Sequence, residues 1–270
     1  MARLQARAPF RGDQGVSGPR SPIRRRGRAG TVTLYRDVGV VLRTWRLGEA
    51  DRIIVLLTPG HGKVRAVAKG VRKTRSRFGG RLEPTSHVDL QLFTGRGELG
   101  IVTQAETIDR FENLRLDPDR FSDASALLEV VDVVAPDGDP DRRRFDMLLG
   151  ALRTLDENPV PLLVPAFYLK LLAHEGLAPY LDACVRCRTE GPLVAIEFGE
   201  GGTLCADCRR GRPISAGALA VMRAVVGGGL ADALAVSDRA VCVEVDAVAT
   251  AAVEYHLERR MRSRRVMETA

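Results

Sequence analysis

The chain has 270 residues and a formal net charge of +7, and no apolar run approaches the length of a membrane span. A chain of this length can bury a sizeable core and is expected to divide into two or three domains. The charge is confined to the first thirty residues, which hold eight arginines and one aspartate, whereas the rest of the chain holds 33 basic and 33 acidic groups. Any anion-binding surface on the folded body must therefore arise from local segregation of charge.

Residues 1–32 are predicted to form a disordered, Arg-rich tail. They contain prolines, glycines and the run RRRGR without apolar periodicity. Three interpretations stay open: a basic arm that adds non-specific affinity for nucleic acid, a transit peptide, or an extension upstream of a natural start near Val32. The DNA affinity of a protein that begins at Thr33 would distinguish them.

Five strands are predicted between Tyr35 and Ile108. They cover residues 37–43, 52–58, 63–69, 87–93 and 100–108, and each alternates apolar and polar residues or forms a short apolar run. Short strands separated by Gly-rich turns favour a small closed β-barrel. Five strands with a long connection between the third and the fourth are the count expected of an OB-fold.

The third strand opens a strongly basic stretch, residues 63–81, with eight cations and no acid. Val64, Ala66 and Ala68 alternate with the strand cations, so a period of two predicts a buried apolar face and an exposed basic face. Gly70 then releases the chain into a polar loop whose one aromatic residue is Phe78. In an OB-fold the face of strands two and three and the flanking loops form the usual oligonucleotide platform, which favours single-stranded nucleic acid as the ligand. The alternative is a solvated basic face.

Helices are predicted over most of residues 117–180 and again after residue 213. Apolar residues recur at helical spacing, Ser215 is a candidate N-cap, and a final helix is expected from Val243 to Arg264. We see no nucleotide-hydrolysing site, because the GxGxxG match at Gly95–Gly100 lies between two strands instead of opening a helix.

Two C-x-x-C pairs lie between the helical segments and are separated by seventeen residues. This spacing is typical of four-thiolate structural zinc, and four thiolates leave no open position for a catalytic water. The sequence therefore predicts one structural zinc ion. Its predicted ligands are Cys184, Cys187, Cys205 and Cys208.

These patterns together predict an α+β protein with an N-terminal OB-fold β-barrel and a helical domain interrupted by a four-cysteine zinc ribbon. The expected boundaries are 33–112 for the barrel, 113–181 and 213–270 for the two parts of the helical domain, and 182–212 for the ribbon.

Several short motifs in this order resemble the RecO family of bacterial recombination mediators. They include Gly62-Lys63, Ala68-Lys-Gly70, Leu82-Glu-Pro84 and Leu177-Ala-Pro179, together with YHLERR at residues 255–260. The resemblance extends over residues 33–267 and does not cover the Arg-rich tail.

The resemblance implies a cytoplasmic, nucleoid-associated protein that is not an enzyme. Such proteins bind single- and double-stranded DNA, anneal complementary strands, engage the acidic, aromatic-ended tail of single-strand-binding protein, and act with RecR to load RecA. The tail is expected to dock in an apolar groove of the helical domain beside a cation, for which Lys170 and the arginines near Arg144 are candidates. Annealing needs only charge neutralisation, so that two polyanionic strands can approach each other.

The predicted DNA-binding residues follow from the basic stretch and the first strand. Phosphates would contact the cations, and the ring of Phe78 would stack on a base. The full set is Arg43, Lys63, Arg65, Lys69, Arg72, Lys73, Arg75, Arg77, Phe78 and Arg81. Two other classes of function stay open at this point. One is an RNA-binding OB-fold and zinc-ribbon module, and the other is a hydrolase that uses Asp51, His61 or His87.

Overall fold

The computed structural model describes residues 33–95, 97 and 99–265. The predicted Arg-rich tail, residues 1–32, lies outside the described residues. Eight strands are β1 Thr33–Leu47, β2 Asp51–Thr58, β3 Gly62–Ala68, β4 His87–Thr94, β5 Gly100–Asp109, β6 Leu193–Glu197, β7 Gly202–Cys205 and β8 Arg212–Pro213. The α-helices are α1 Glu112–Leu116, α2 Pro118–Val134, α3 Arg142–Glu157, α4 Leu163–His174, α5 Ala216–Gly227, α6 Leu230–Leu234, α7 Arg239–His256 and α8 Arg262–Arg265.

Strands β1 to β5 close into a barrel in the order β1-β2-β3-β5-β4. β1 pairs antiparallel with both β2 and β4. The barrel closes through a short parallel contact between β3 and β5, where Ala66 lies opposite Gly100 and Val67 opposite Ile101. The strand count, the closure and the long connection from β3 to β4 confirm the predicted OB-like barrel.

The continuous apolar run of β2 is explained by burial on both of its faces. Ile54 and Leu56 belong to the interior of the barrel, whereas Val55 and Leu57 pack into the core of the helical part of the molecule. A strand that is covered on both sides has no polar face, so its sequence loses the usual alternation. The outer side of β2 is therefore an interface with the helices.

Helices surround the second core, and several start at capping residues that the sequence contains. Asp117, Asp141 and Ser215 each accept hydrogen bonds from backbone N–H groups in the first turn of α2, α3 and α5. The N-cap predicted at Ser215 is confirmed. No helix among the described residues is long and apolar enough to cross a membrane.

The predicted single helix through Arg264 is wrong. α7 ends at His256, and Glu258 adopts a positive φ of 50°. The chain then folds back so that Met261 is buried and its N–H donates to Glu254 Oε1 at 2.9 Å. The Glu129 carboxylate of α2 accepts N–H bonds from Arg262 and Ser263, which fixes the start of α8 on α2. Tertiary anchoring of Met261 therefore overrides helix propensity in this segment.

The barrel and the helical part meet along β1, β2 and the loop before α3. Val40, Leu42 and the outward side chains of β2 enter the helical core. At the start of β3, Gly62 lies directly against the backbone of Asp139 with a φ of 66°, so a side chain there would overlap the loop. The Gly138 N–H donates to Lys63 O at 2.9 Å and fixes the same loop to β3. This joint covers part of the barrel face that the sequence predicted to be exposed.

Candidate nucleic-acid interface and metal centre

The four cysteines of the C-x-x-C pairs lie together in one cluster. Their Sγ atoms are all within 4.8 Å of one another, and the Sγ atoms of Cys187 and Cys205 are 3.6 Å apart. β6 and β7 form the hairpin that brings the two pairs together, and β8 adds a third strand. A tetrahedral zinc site with Zn–S bonds of about 2.3 Å requires sulfurs roughly 3.8 Å apart. The donor set therefore fits a metal ion held by four thiolates.

The surroundings of Cys184 favour the thiolate form that binds metals. Desolvation raises the pKa of this thiol, but the backbone N–H groups of Cys187, Cys205 and Arg186 outweigh it and lower the pKa to about 6. Arg186 also pairs with Glu200 at 2.9 Å, which links the first C-x-x-C turn to the β6–β7 connection. The four sulfurs therefore form a cluster that could hold a metal ion.

The connection between β3 and β4 carries most of the basic stretch and is fixed to the barrel. We name residues 69–81 the basic loop. Val71 and Phe78 within it, and Leu82 just after it, are buried in the barrel core. The Arg72 N–H donates to Ala50 O at 3.0 Å and the Gly70 N–H donates to Asp51 Oδ1 at 2.7 Å. Because these contacts fix the backbone, the polar side chains between them are held on the outside.

Five cations of the basic loop are exposed, and none makes an ion pair with another described residue. They are Lys69, Arg72, Lys73, Arg75 and Arg77. The sixth, Arg81, is partly buried and donates to Arg77 O at 2.7 Å. The loop therefore presents a compact positive surface at one end of the barrel.

The cations on the strands have a different environment. Arg43 Nε lies 2.7 Å from Asp132 Oδ2, and Arg65 lies 2.6 Å from Asp137 Oδ2. Lys63 Nζ donates to Asp132 O at 2.7 Å, lies 3.3 Å from Asp137 Oδ1, and its side chain is only 11% exposed. The predicted phosphate contact of Lys63 is wrong, because Asp132 of α2 and Asp137 of the loop after α2 occupy its side of β3. Arg43 and Arg65 stay partly exposed, but their charges are already paired.

The predicted stacking role of Phe78 is also wrong. Its ring is 1% exposed and packs inside the barrel, while the Arg77 guanidinium covers it at 4.7 Å from the ring centroid. A base cannot reach this ring without opening the barrel end.

An exposed aromatic side chain does lie near the basic loop. Trp45, the single tryptophan of the chain, stands near the end of β1 and is 38% exposed. The Arg43 guanidinium lies 4.9 Å from the centroid of its ring. Arg46 follows it, is exposed and makes no ion pair with another described residue. The turn that follows them and joins β1 to β2 contacts the basic loop, because the Arg72 N–H donates to Ala50 O and its guanidinium donates to Glu49 O.

The helical part contains an apolar cleft of about 310 Å³ between α3, α4 and α6. Its apolar lining includes Met147, Leu163, Phe167, Leu230 and Leu234. Lys170 lies at the cleft and makes no ion pair with another described residue.

The sequence also predicts the arginines near Arg144 as cations beside an apolar groove. Arg144 itself is buried and paired with Glu175 at 2.8 Å and with Asp141 at 3.1 Å. It is therefore not free to meet a ligand. Arg143 is exposed and precedes Met147 by four residues in α3, so the two share one side of the helix.

Two family models match the chain. "Recombination protein O N terminal" matches residues 32–111 and "Recombination protein O C terminal" matches residues 115–265. Proteins named DNA repair protein RecO from Streptomyces griseus and Streptomyces coelicolor are 42% and 43% identical to the chain, over 88% of it and 100% of each relative. The relative from Thermobifida fusca is 43% identical over the same shares. The chain belongs to the RecO family.

Membership of the RecO family confirms the predicted resemblance and gives no support to the RNA-binding alternative. The residues named for a hydrolase are not brought together. Asp51 begins β2 and accepts from the Gly70 N–H, whereas His61 lies in the turn after the other end of β2 and contacts Asp37. His87 is buried beside Phe145, and its burial together with the Arg153 charge lowers its pKa.

Trp45 and Arg46 were not identified from the sequence as exposed side chains at the end of the first strand of this RecO-family chain. The first strand was predicted to end at Arg43, whereas β1 continues to Leu47. The signal was a second period-two set, Arg43, Trp45 and Leu47, which is offset by one residue from Val38, Val40 and Leu42 because the register of β1 shifts between Val41 and Arg43.

Proposed function

We propose that the chain is a recombination mediator that binds single- and double-stranded DNA and anneals complementary strands. With RecR, it would help load RecA on strands coated with single-strand-binding protein, in the cytoplasm at the nucleoid and without catalysing a reaction. The observation that carries the proposal is the basic loop. Its five exposed cations have no acidic partner among the described residues, although the body of the protein has no net charge.

The basic loop suits phosphate binding because its backbone is fixed before DNA arrives. Val71 and Phe78 hold it from inside the barrel, so the cations lose little backbone freedom on binding. Each phosphate that a cation contacts releases condensed counterions, and this release drives the association. Neutralising two strands on one positive surface lets them approach and pair.

Replacing Arg72, Lys73, Arg75 and Arg77 together with glutamine tests this proposal. Log affinity for single strands falls with log salt by about 0.7 per phosphate contact, so losing four contacts should lower the slope by roughly 3. Annealing of complementary oligonucleotides should be lost with it. Fluorescence anisotropy at several salt concentrations measures the slope, and a strand-pairing assay measures annealing.

A matched control removes four other exposed arginines that also make no ion pair with described residues. These are Arg143, Arg153, Arg209 and Arg239. The control variant has the same net charge as the test variant but keeps the basic loop. If the salt slope of both variants equals that of the parent protein, or if the salt slope falls by the same amount in both, the basic loop is not the DNA site.

We further propose that the cleft between α3, α4 and α6 binds the tail of single-strand-binding protein. The cleft offers an apolar floor for an aromatic end group, and Lys170 offers a charge for the acidic residues or the terminal carboxylate of the tail. Arg143 would add a second cation at the same side.

Lys170→Glu should weaken binding of a peptide with the tail sequence by about tenfold or more, because an attraction becomes a repulsion. Lys69→Glu, which changes an exposed lysine on the barrel, is the matched control and should leave peptide affinity unchanged. Isothermal titration with the peptide measures both variants. Equal peptide affinity for Lys170→Glu and the parent would place the tail elsewhere.

We propose zinc as the metal of the four-cysteine cluster. Four sulfur donors in a tetrahedral arrangement are the usual ligands of structural zinc. The ion would hold the two C-x-x-C turns together and would have no open coordination position. Its role would be to stabilise the ribbon that β6, β7 and β8 form.

A further inference from the structure

Trp45 forms a stacked pair with Arg43 on the outer surface of the barrel. The guanidinium lies 4.9 Å from the ring centroid, and Arg43 is held in turn by Asp132 at 2.7 Å. With the guanidinium in place the indole is still 38% exposed. An exposed tryptophan held by a cation is a rigid π surface that a further flat group can extend.

The position of this ring connects it to the basic loop. Trp45 lies opposite Ile53 on β2, and Ile53 lies opposite Val67 on β3, two residues before the loop begins. At the same end of β1, the Arg72 guanidinium donates to Glu49 O at 2.8 Å, so the loop contacts the turn that follows Leu47. The indole and the loop cations therefore share one end of the barrel.

Charge decides which flat group this surface would take. Lys69 and Arg72 begin the basic loop at this end of the barrel, and Arg46 is exposed next to Trp45 in β1. No described carboxylate pairs with these three cations. A group that is flat, apolar on its faces and attached to a polyanion is an unpaired nucleobase.

We propose that Trp45 is a base-stacking residue that selects single-stranded over double-stranded DNA. This inference rests on the DNA-binding function proposed above and adds the ligand feature that the ring reads. The loop cations contact phosphates, which both forms of DNA display. The indole contacts a base face, which only an unpaired and unstacked base offers.

Because Trp45 is the single tryptophan, its fluorescence reports this contact directly in the full chain. We expect an oligo(dT) strand to quench it, whereas an abasic strand of equal length and a blunt duplex should bind without quenching it. Trp45→Ala should weaken single-strand binding about tenfold and leave duplex binding unchanged, because it removes the ring on which an unpaired base stacks. Trp45→Phe should retain most of the single-strand affinity because it keeps a ring.

Leu34→Ala is the matched control, since Leu34 is an exposed apolar residue at the opposite end of β1. It should bind both forms of DNA like the parent protein. Quenching by the abasic strand as strong as by oligo(dT) would overturn the stacking proposal, and so would unchanged single-strand affinity in Trp45→Ala. Either result, together with an unchanged salt dependence of DNA binding, would leave the proposed DNA-binding function intact. If the parent protein bound no DNA, the DNA-binding function and the stacking role of Trp45 would both be wrong.

Discussion

Phe78 lies between Arg77 and Gly79 in a loop full of cations, and these neighbours suggest an exposed ring. The structure shows instead that the ring is buried at the end of the barrel. The connection from β3 to β4 closes that end, and it does so with the three apolar side chains that it contains, Val71, Phe78 and Leu82. Burial of an aromatic ring contributes far more than its exposure beside a guanidinium, so the ring enters the core. Among the described residues of the barrel, the exposed aromatic side chain is Trp45.

Phe78→Ala is therefore expected to destabilise the barrel rather than to act on DNA binding alone. Truncating a fully buried phenylalanine typically lowers the free energy of unfolding by about 3–5 kcal/mol. Urea unfolding measures this change. Arg77→Ala, at the neighbouring exposed position, serves as the control and should change stability by less than about 1 kcal/mol. Equal stability of Phe78→Ala and the parent protein would contradict the burial of this ring.

At the scale of elements, the ribbon is the part of the molecule whose structure depends most on a ligand. β6, β7 and β8 are five, four and two residues long, and short strands of this kind are marginal without further support. Four sulfurs at metal-binding separation supply that support if a metal ion joins them. Contacts with neighbouring elements add to it, since Arg223 of α5 donates to Leu181 O at 2.6 Å.

Cys184→Ser should lower the bound zinc to well below one ion per chain and lower the melting temperature of the ribbon and its helical neighbours. The serine hydroxyl cannot replace a thiolate as a zinc ligand at neutral pH. Metal analysis and thermal unfolding check both effects, and the salt slope of DNA binding should stay that of the parent protein. Cys242→Ser changes the one cysteine outside the cluster and should keep its zinc. A Cys184→Ser protein with full zinc content would disprove the four-thiolate site.

At the scale of the whole molecule, the distribution of charge separates the barrel cations into two groups. The loop before α3 and the end of α2 bring Asp132 and Asp137 to the outer face of β3, where they pair with the strand cations. These pairs join the barrel to the helices. The basic loop lies beyond the reach of these carboxylates and stays positive. The docking of the helical part thus restricts the unpaired positive surface that the barrel alone would present.

Asp132→Asn tests the structural role of these pairs. Asp132 is mostly buried and compensates both Arg43 and Lys63, so removing its charge should lower the free energy of unfolding by about 2 kcal/mol. Asp146→Asn is the matched control, because Asp146 pairs with Arg142 on an exposed helix face and should cost less than about 0.5 kcal/mol. Urea unfolding of both variants gives the comparison. If Asp132→Asn is as stable as Asp146→Asn, the carboxylate does not hold the two parts together.

Local pattern was enough to predict much of this protein. Period-two alternation and Gly-rich turns predicted the five barrel strands, the capping Ser215 predicted the start of α5, and the spacing of the cysteines predicted their cluster. These features depend on residues close in the chain, or on a spacing that admits few geometries, so the sequence alone determines them.

Which side chains face solvent was decided only by the tertiary structure. Lys63 meets Asp132, almost seventy residues later, and Met261 ends the last long helix by entering a core assembled from distant elements. Phe78 and Trp45 have the same aromatic character, but one covers the end of a barrel and the other lies beyond the helices that dock on its face. Burial and ion pairing are contacts between distant segments, and no local pattern carries the information on which segments meet.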